Sequence, residues 1–179
     1  MSGLTWEDVS GGAGLRVTVP VTMGPDEAAR ELAPRLSALA GERATASFDE
    51  KSDKLGVPVV TIDGYSGAGK STLAAAIARL VNGWQVLHLD DWYPGWDGLE
   101  AGADIARRIA ADLREGRASS YEAWDWDKGT TGATTRVPLV PTIIEGCGAI
   151  EAEADIAIWI ADPGEDERRS RALARDGQT

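Results

Sequence analysis

Apolar positions along the chain recur with two different periods. Between 15 and 22 they alternate: Leu15, Val17, Val19 and Val21 fall on one side, Arg16, Thr18, Pro20 and Thr22 on the other. This is the pattern of a half-exposed strand, and Pro20, with no N–H to donate, places it at a sheet edge. Gly24-Pro25-Asp26-Glu27 then reads as a helix start with acidic first-turn residues. Leu32, Leu36 and Leu39 continue one helical face, which Pro34 is expected to kink or split. The polar stretch 41–56 reads as a surface loop. From 57 to 62 the chain is short, β-branched and almost wholly apolar, as a buried parallel strand is. Residues 71–80 are rich in Ala and Leu, with Leu73, Ile77 and Leu80 on one helical face.

The alternation of strand and helix continues. A second buried strand is expected over 84–89 and a helix over 103–115, where Ile105, Ile109 and Leu113 repeat every four residues before Gly116. The segment 119–135 shows no clear period and reads as irregular. Apolar runs at 142–146 and 155–161 are further strands, and Glu165–Asp176 is an Arg-rich helix after the Asp162-Pro163-Gly164 turn. Strands separated by helices imply an α/β fold with a mostly parallel sheet. The expected organisation is a flexible tail over 1–14, a strand-helix unit and loop packed on the core over 15–56, and a core over 57–179.

Between the strand at 57–62 and the helix at 71–80 stands Gly64-Tyr65-Ser66-Gly67-Ala68-Gly69-Lys70-Ser71. It fills G-x-x-x-x-G-K-[ST], the phosphate-binding loop, and its strand–loop–helix setting is the one that makes the motif specific. Glycines let backbone N–H groups approach phosphate closely, and the helix N-terminus adds partial positive charge. Gly64, Ser66, Gly67, Ala68, Gly69, Lys70, Ser71 and Thr72 are therefore the expected nucleotide contacts. Lys70 is placed on the β- and γ-phosphates and the Ser71 hydroxyl on Mg²⁺, with ATP as the nucleotide.

Composition narrows the partners. The chain of 179 residues has a net charge of −11, which makes a nucleic-acid polymer a poor partner and leaves a small-molecule acceptor. Cys147 is the only cysteine, so no internal disulfide forms, in keeping with a cytoplasmic location. No apolar run is long enough to span a membrane, and no membrane partner is expected.

Phosphoryl transfer needs a phosphate cradle, a magnesium site, a base for the acceptor hydroxyl and positive charge over the moving group. Glu145 ends an apolar strand, where a carboxylate can hold magnesium directly or through water. Asp90 and Asp91 end the neighbouring strand, and one of them should face the γ-phosphate and take the acceptor proton or share the metal. Arg168, Arg169, Arg171 and Arg175 follow the last strand; Arg171 and Arg175 share a helical face. Trp92, Trp96, Trp124 and Trp126 crowd the two loops beside the presumed acceptor site, where rings can stack. His88, inside the second strand, reads as a core residue, and Cys147 as a small buried hydrophobe. A guanine-reading Asn-Lys-x-Asp pattern is absent from the sequence.

These motifs resemble the uridine kinase-like branch of P-loop kinases, whose cousins are phosphoribulokinase and pantothenate kinase. The resemblance rests on 62–71, on Asp90-Asp91-Trp92-Tyr93, on Trp124-Asp125-Trp126, on Ile144-Glu145-Gly146 and on Arg171 to Arg175-Asp176. It implies the three-layer P-loop NTPase sandwich and an ATP- and Mg²⁺-dependent kinase acting on a small-molecule hydroxyl, a nucleoside among the acceptors. It also implies Asp90 as base and metal-linked acid and Glu145 as the second metal-linked acid. Asp91, Tyr93, Trp124 and Trp126 would contact the acceptor, and Arg171 and Arg175 would be lid arginines acting with Lys70 in transfer. Gly102 stands where the family carries an acid, and no histidine follows Trp124-Asp125-Trp126, Lys128 lying nearby. Other acceptors stay open, among them a sugar phosphate, a pantothenate-like alcohol or an antibiotic, as does a non-catalytic nucleotide-binding module. Family members continue past the Arg-Asp pair with a further strand and helix, so the unit at 15–39 is expected in that place in the sheet.

Overall fold

The structure, a computed structural model, describes residues 3–9, 14–46, 56–95 and 97–176. Its centre is a six-stranded sheet in the order β1-β2-β8-β3-β7-β4. The strands are β1 (Thr5–Asp8), β2 (Leu15–Val19), β3 (Val59–Asp63), β4 (Gln85–His88), β7 (Thr142–Glu145) and β8 (Ile156–Ile160). All neighbours pair in parallel except β1, which runs antiparallel to β2. Helices α1 (Pro25–Ala46) and α2 (Lys70–Ala78) cover one face. Helix α3 (Leu99–Arg114) and the hairpin of β5 (Ser119–Asp125) and β6 (Thr130–Val137) cover the other. Helix α4 (Glu165–Asp176) follows β8.

Because successive strand residues face opposite sides, β7 sends Ile143 to the α1/α2 side and Ile144 to the α3 side, both fully buried. The continuous apolar runs of β3 and β7 thus report a sheet covered on both faces, the three-layer P-loop α/β arrangement expected from the sequence. Leu32 and Leu36 of α1 are also fully buried. Each such side chain contributes about 1.5–3 kcal/mol of transfer free energy, so α1 is part of the core.

Several expectations are corrected. Strand β2 joins the sheet, but not as its edge: β1, inside the segment expected to be a loose tail, pairs with it from Thr5 to Asp8. Pro20 lies just past the end of β2, where no ladder bond is lost. Pro34 does not split α1; it sits on the exposed side, where water can satisfy the carbonyl it frees. The expected loop at 41–56 begins as helix through Ala46, and 47–55 lie outside the described residues. Helix α2 ends at Ala78, so Leu80 is exposed and Val81 takes the buried place. Strand β4 is the half-buried sheet edge, not a buried strand. The segment 119–135 is no irregular loop but most of the β5–β6 hairpin.

Asp155 fixes the end of the sheet opposite the loop. Its Oδ2 accepts from the Val59 N–H at 2.9 Å, and its Oδ1 takes the Arg43 guanidinium of α1, with Arg114 of α3 3.9 Å away. One buried carboxylate thereby ties the phosphate-loop strand to a helix on each face.

Candidate functional site

The carboxyl ends of β3, β7, β4, β8 and β2 open on one edge of the sheet, where ligands gather in α/β folds. A cavity of about 720 Å³ lies there. The loop between β3 and α2 forms its floor: Ser66, Gly67, Ala68, Gly69, Lys70, Ser71 and Thr72 all line it, together with Asp90, Glu145 and Cys147. Gly67 and Gly69 hold φ of 78° and 101°, conformations in which a side chain is strained. Gly67 has a second constraint, since a Cβ there would meet the Arg168 carbonyl oxygen at 2.8 Å. The loop is thus packed under the start of α4. Arg168 reinforces that contact, its guanidinium 4.9 Å over the Tyr65 ring and 2.8 Å from Asp162.

Lys70 is buried, and its ammonium donates to the carbonyls of Gly64 at 3.0 Å and Tyr65 at 3.1 Å, with Cys147 Sγ at 3.2 Å. The loop therefore holds its cation folded over its own backbone, at the place where phosphate oxygens can replace the carbonyls. Ser71 Oγ donates to Glu145 Oε1 at 2.8 Å. That bond commits the hydroxyl hydrogen to the carboxylate and leaves the oxygen lone pairs for a cation. Behind the loop, Asp63 accepts from the N–H groups of Gly64, Gly148 and Ile150, so a buried carboxylate sets the turn that follows Glu145.

Glu145 has a second partner that the sequence reading missed. His88 Nδ1 lies 2.5 Å from the same Oε1. His88 and Glu145 are register partners at the ends of β4 and β7. His88 is thus a site residue and not a core residue, its side chain 44% exposed. The hydrogen bond to Glu145 raises its pKa above 6.5, against the opposing effect of burial. Cys147 is also corrected: it is half-buried, lines the cavity and touches Lys70.

The structure separates the two aspartates that the sequence left paired. A short turn after β4, Leu89–Asp91, sets them in different directions. Asp90 lines the cavity with Ser71 and Glu145. Asp91 is not among the residues lining the cavity; its pKa is raised, chiefly by burial, while the neighbouring His88 and Tyr121 pull it down. Trp126 Nε1 donates to the Asp90 carbonyl at 2.9 Å, bringing the exposed tip of the hairpin beside that turn. Trp124 packs near Gly95. Tyr93 does not present itself to an acceptor: it is buried against Gly102, and its hydroxyl donates to the Cys147 carbonyl. Trp92 is likewise buried, donating to the Gly102 carbonyl and packing 4.7 Å from the Tyr121 ring. Gly102 is fixed by this packing, since a Cβ there would meet the Tyr93 ring at 2.4 Å. The side chains of Arg171 and Arg175, and all of Trp96, lie outside the described residues.

The donor set suits a small hard cation. Ser71, Glu145 and Asp90 offer oxygens, the ligands magnesium takes. Among the described residues no group of three His, Cys, Asp or Glu side chains is arranged to hold a metal by itself. Magnesium is commonly held by one or two carboxylates together with phosphate oxygens and water. No helix among the described residues is long and apolar enough to cross a membrane.

No family model matches the chain, and no curated protein matches it in sequence. Solved structures resemble it in shape. A candidate fructose transport system kinase from Silicibacter sp. TM1040 is 21% identical with a TM-score of 0.48, over 80% of this chain and 82% of that one. A candidate uridine kinase from Bacillus stearothermophilus is 20% identical with a TM-score of 0.48, over 80% of this chain and 86% of that one.

Proposed function

We propose that this protein is an ATP- and Mg²⁺-dependent kinase that transfers the γ-phosphoryl group to a hydroxyl of a small molecule. The observation that carries the reading is the convergence of Lys70, Ser71, Glu145 and Asp90 on one cavity, with Ser71 already bonded to Glu145. The loop N–H groups and Lys70 bind the phosphate chain, Lys70 exchanging loop carbonyls for phosphate oxygens. Ser71 and Glu145, with Asp90, would hold magnesium, which when bound neutralises charge on the transferred group. Asp90 accepts the proton of the acceptor hydroxyl as its oxygen bonds to the γ-phosphorus, and the bond to the β-phosphate oxygen breaks to release ADP. His88 holds Glu145 by one oxygen, leaving the other to the metal or its water. Trp126 and Trp124 on the hairpin frame the acceptor, as Asp91 does from the turn.

A nucleoside is the acceptor that the family resemblance favours; phosphorylated sugars, pantothenate-like alcohols and antibiotics are the alternatives. ADP release from Mg-ATP across a panel of these alcohols separates them. Stimulation by one class names the acceptor. ATP binding without stimulation by any class would favour a nucleotide-binding module that does not transfer.

A further inference from the structure

A second cavity, of about 530 Å³, opens at the base of the β5–β6 hairpin. It lies away from the phosphate loop. Helix α3 starts at Leu99, after the Asp90 turn, and ends at Arg114, whose carbonyl accepts the Gly56 N–H just ahead of β3, at the opposite end of the sheet. The hairpin runs back from there, its base at Ser119 and Val137 and its tip, with Trp126, beside Asp90. Arg108 and Asp112 of α3 bound the cavity on one side, and Ser119, Ser120 and Arg136 of the hairpin on the other. The carboxylate of Asp112 is already matched: Arg117 donates to it at 2.8 Å and 3.2 Å, and Ser119 Oγ at 2.7 Å. Arg108 is held by the first residues of β5, donating to Ser119 Oγ at 3.1 Å and to the Ser120 carbonyl at 2.7 Å. A guanidinium has more N–H donors than these contacts use, so Arg108 is fixed in place and still able to donate. Arg136 and Ser120 are register partners, so both side chains project from one face of the hairpin.

We propose that this cavity binds a small phosphate monoester, its phosphate held between Arg108 of α3 and Ser120 and Arg136 of the hairpin. A phosphate monoester carries about two negative charges at pH 7, which two guanidinia balance. The planar guanidinium fork takes phosphate oxygens in pairs, and the Ser120 hydroxyl can donate to another. The volume lies within the roughly 300–1,000 Å³ of small-molecule sites, which leaves room for the organic part. Such a ligand ties α3 to the hairpin at the end remote from the phosphate loop, and so steadies the element whose tip lies at Asp90. The site does not depend on the kinase reading, since none of its lining residues lines the first cavity.

The test is calorimetric titration of glycerol 3-phosphate into the full chain with Mg-ADP in excess, so that the phosphate loop is occupied, with glycerol as the neutral control. The expected result is binding of glycerol 3-phosphate and none of glycerol. Arg136 is exposed, so its replacement leaves the core intact. Arg136→Gln should weaken binding by about tenfold or more, the loss expected for a hydrogen bond to a charged group. Arg136→Lys should recover part of that loss, because it restores the charge but not the planar fork. Arg30→Gln, on the exposed side of α1 across the sheet, should change nothing. Hydrogen exchange of the β5 and β6 amides should slow when the ligand is added to the unaltered protein. Absence of binding, binding unmoved by Arg136→Gln or weakened as much by Arg30→Gln, or hairpin exchange indifferent to the ligand would overturn the proposal. So would binding seen only without Mg-ADP, which would place the ligand on the phosphate loop.

Discussion

His88 Nδ1 and Ser71 Oγ meet on a single oxygen of Glu145, the first at 2.5 Å and the second at 2.8 Å. The carboxylate is buried, and these two bonds define its orientation. The His88–Glu145 bond raises the histidine pKa above 6.5, so the protonated form is favoured in the folded protein. A raised folded pKa contributes stability that is fully present below the unfolded value and is lost as pH rises through the folded value. Thermal unfolding in the presence of a chelator should therefore show the unaltered protein gaining more over His88→Ala at pH 5.5 than at pH 8.5. A difference that is the same at both pH values would show that the pair carries no proton-linked stability.

Lys70 and Asp90 line the same cavity but are assigned different work. Lys70→Ala should lose nucleotide binding, measured by calorimetry. Asp90→Asn should keep binding and lose turnover by about 10²–10⁴-fold, the usual worth of a positioned base. Asp91→Asn should keep most of the turnover, because Asp90 lines the cavity and Asp91 does not. Equal loss of binding in the Lys70 and Asp90 variants would contradict this division.

Gly67 combines a φ of 78° with a Cβ direction that points at the Arg168 carbonyl. Gly67→Ala should cost about 1–2 kcal/mol from the left-handed backbone alone, before any displacement of α4. It should lower the unfolding midpoint and weaken phosphate binding together. A variant of unchanged stability would mean that the loop relaxes away from α4 at no cost.

Asp155 is the buried carboxylate shared by Val59, Arg43 and Arg114. Asp155→Ala removes the carboxylate that the Arg43 guanidinium and the Val59 N–H share. Breaking a buried pair of this kind costs about 3–5 kcal/mol, read as a fall in the denaturant midpoint. A loss below about 1 kcal/mol would place the pair with ordinary surface ion pairs.

What the sequence made legible is what local periodicity and local chemistry set. The loop from Gly64 to Ser71, the runs that became β3 and β7, helix α4 and the strand-end carboxylates Asp90 and Glu145 all follow from neighbours in the chain. The His88–Glu145 contact does not: its residues are 57 positions apart, and the register of β4 on β7 brings them together. Strand β1 carried no signal because all of its residues are exposed at the sheet edge, so no alternation marks it. The β5–β6 hairpin was hidden by a register shift between Glu122 and Trp124, which breaks the period of two. Tyr93 was misread for a related reason, since its hydroxyl is taken by Cys147, a contact made across the fold. The apolar turn at Val19 to Pro25 reads locally as the end of a strand, and only the parallel pairing of β2 with β8 brings it to the cavity.

The central claim is that the cavity transfers phosphate, with Asp90 as the base. The most direct measurement is ADP release from Mg-ATP, with and without a mixture of nucleosides and other alcohols, by the unaltered protein and by Asp90→Asn. Acceptor-dependent release that disappears in Asp90→Asn, while the variant still binds ATP, is the predicted result. Release that the variant retains, or ATP binding with no acceptor dependence across the mixture, would contradict it.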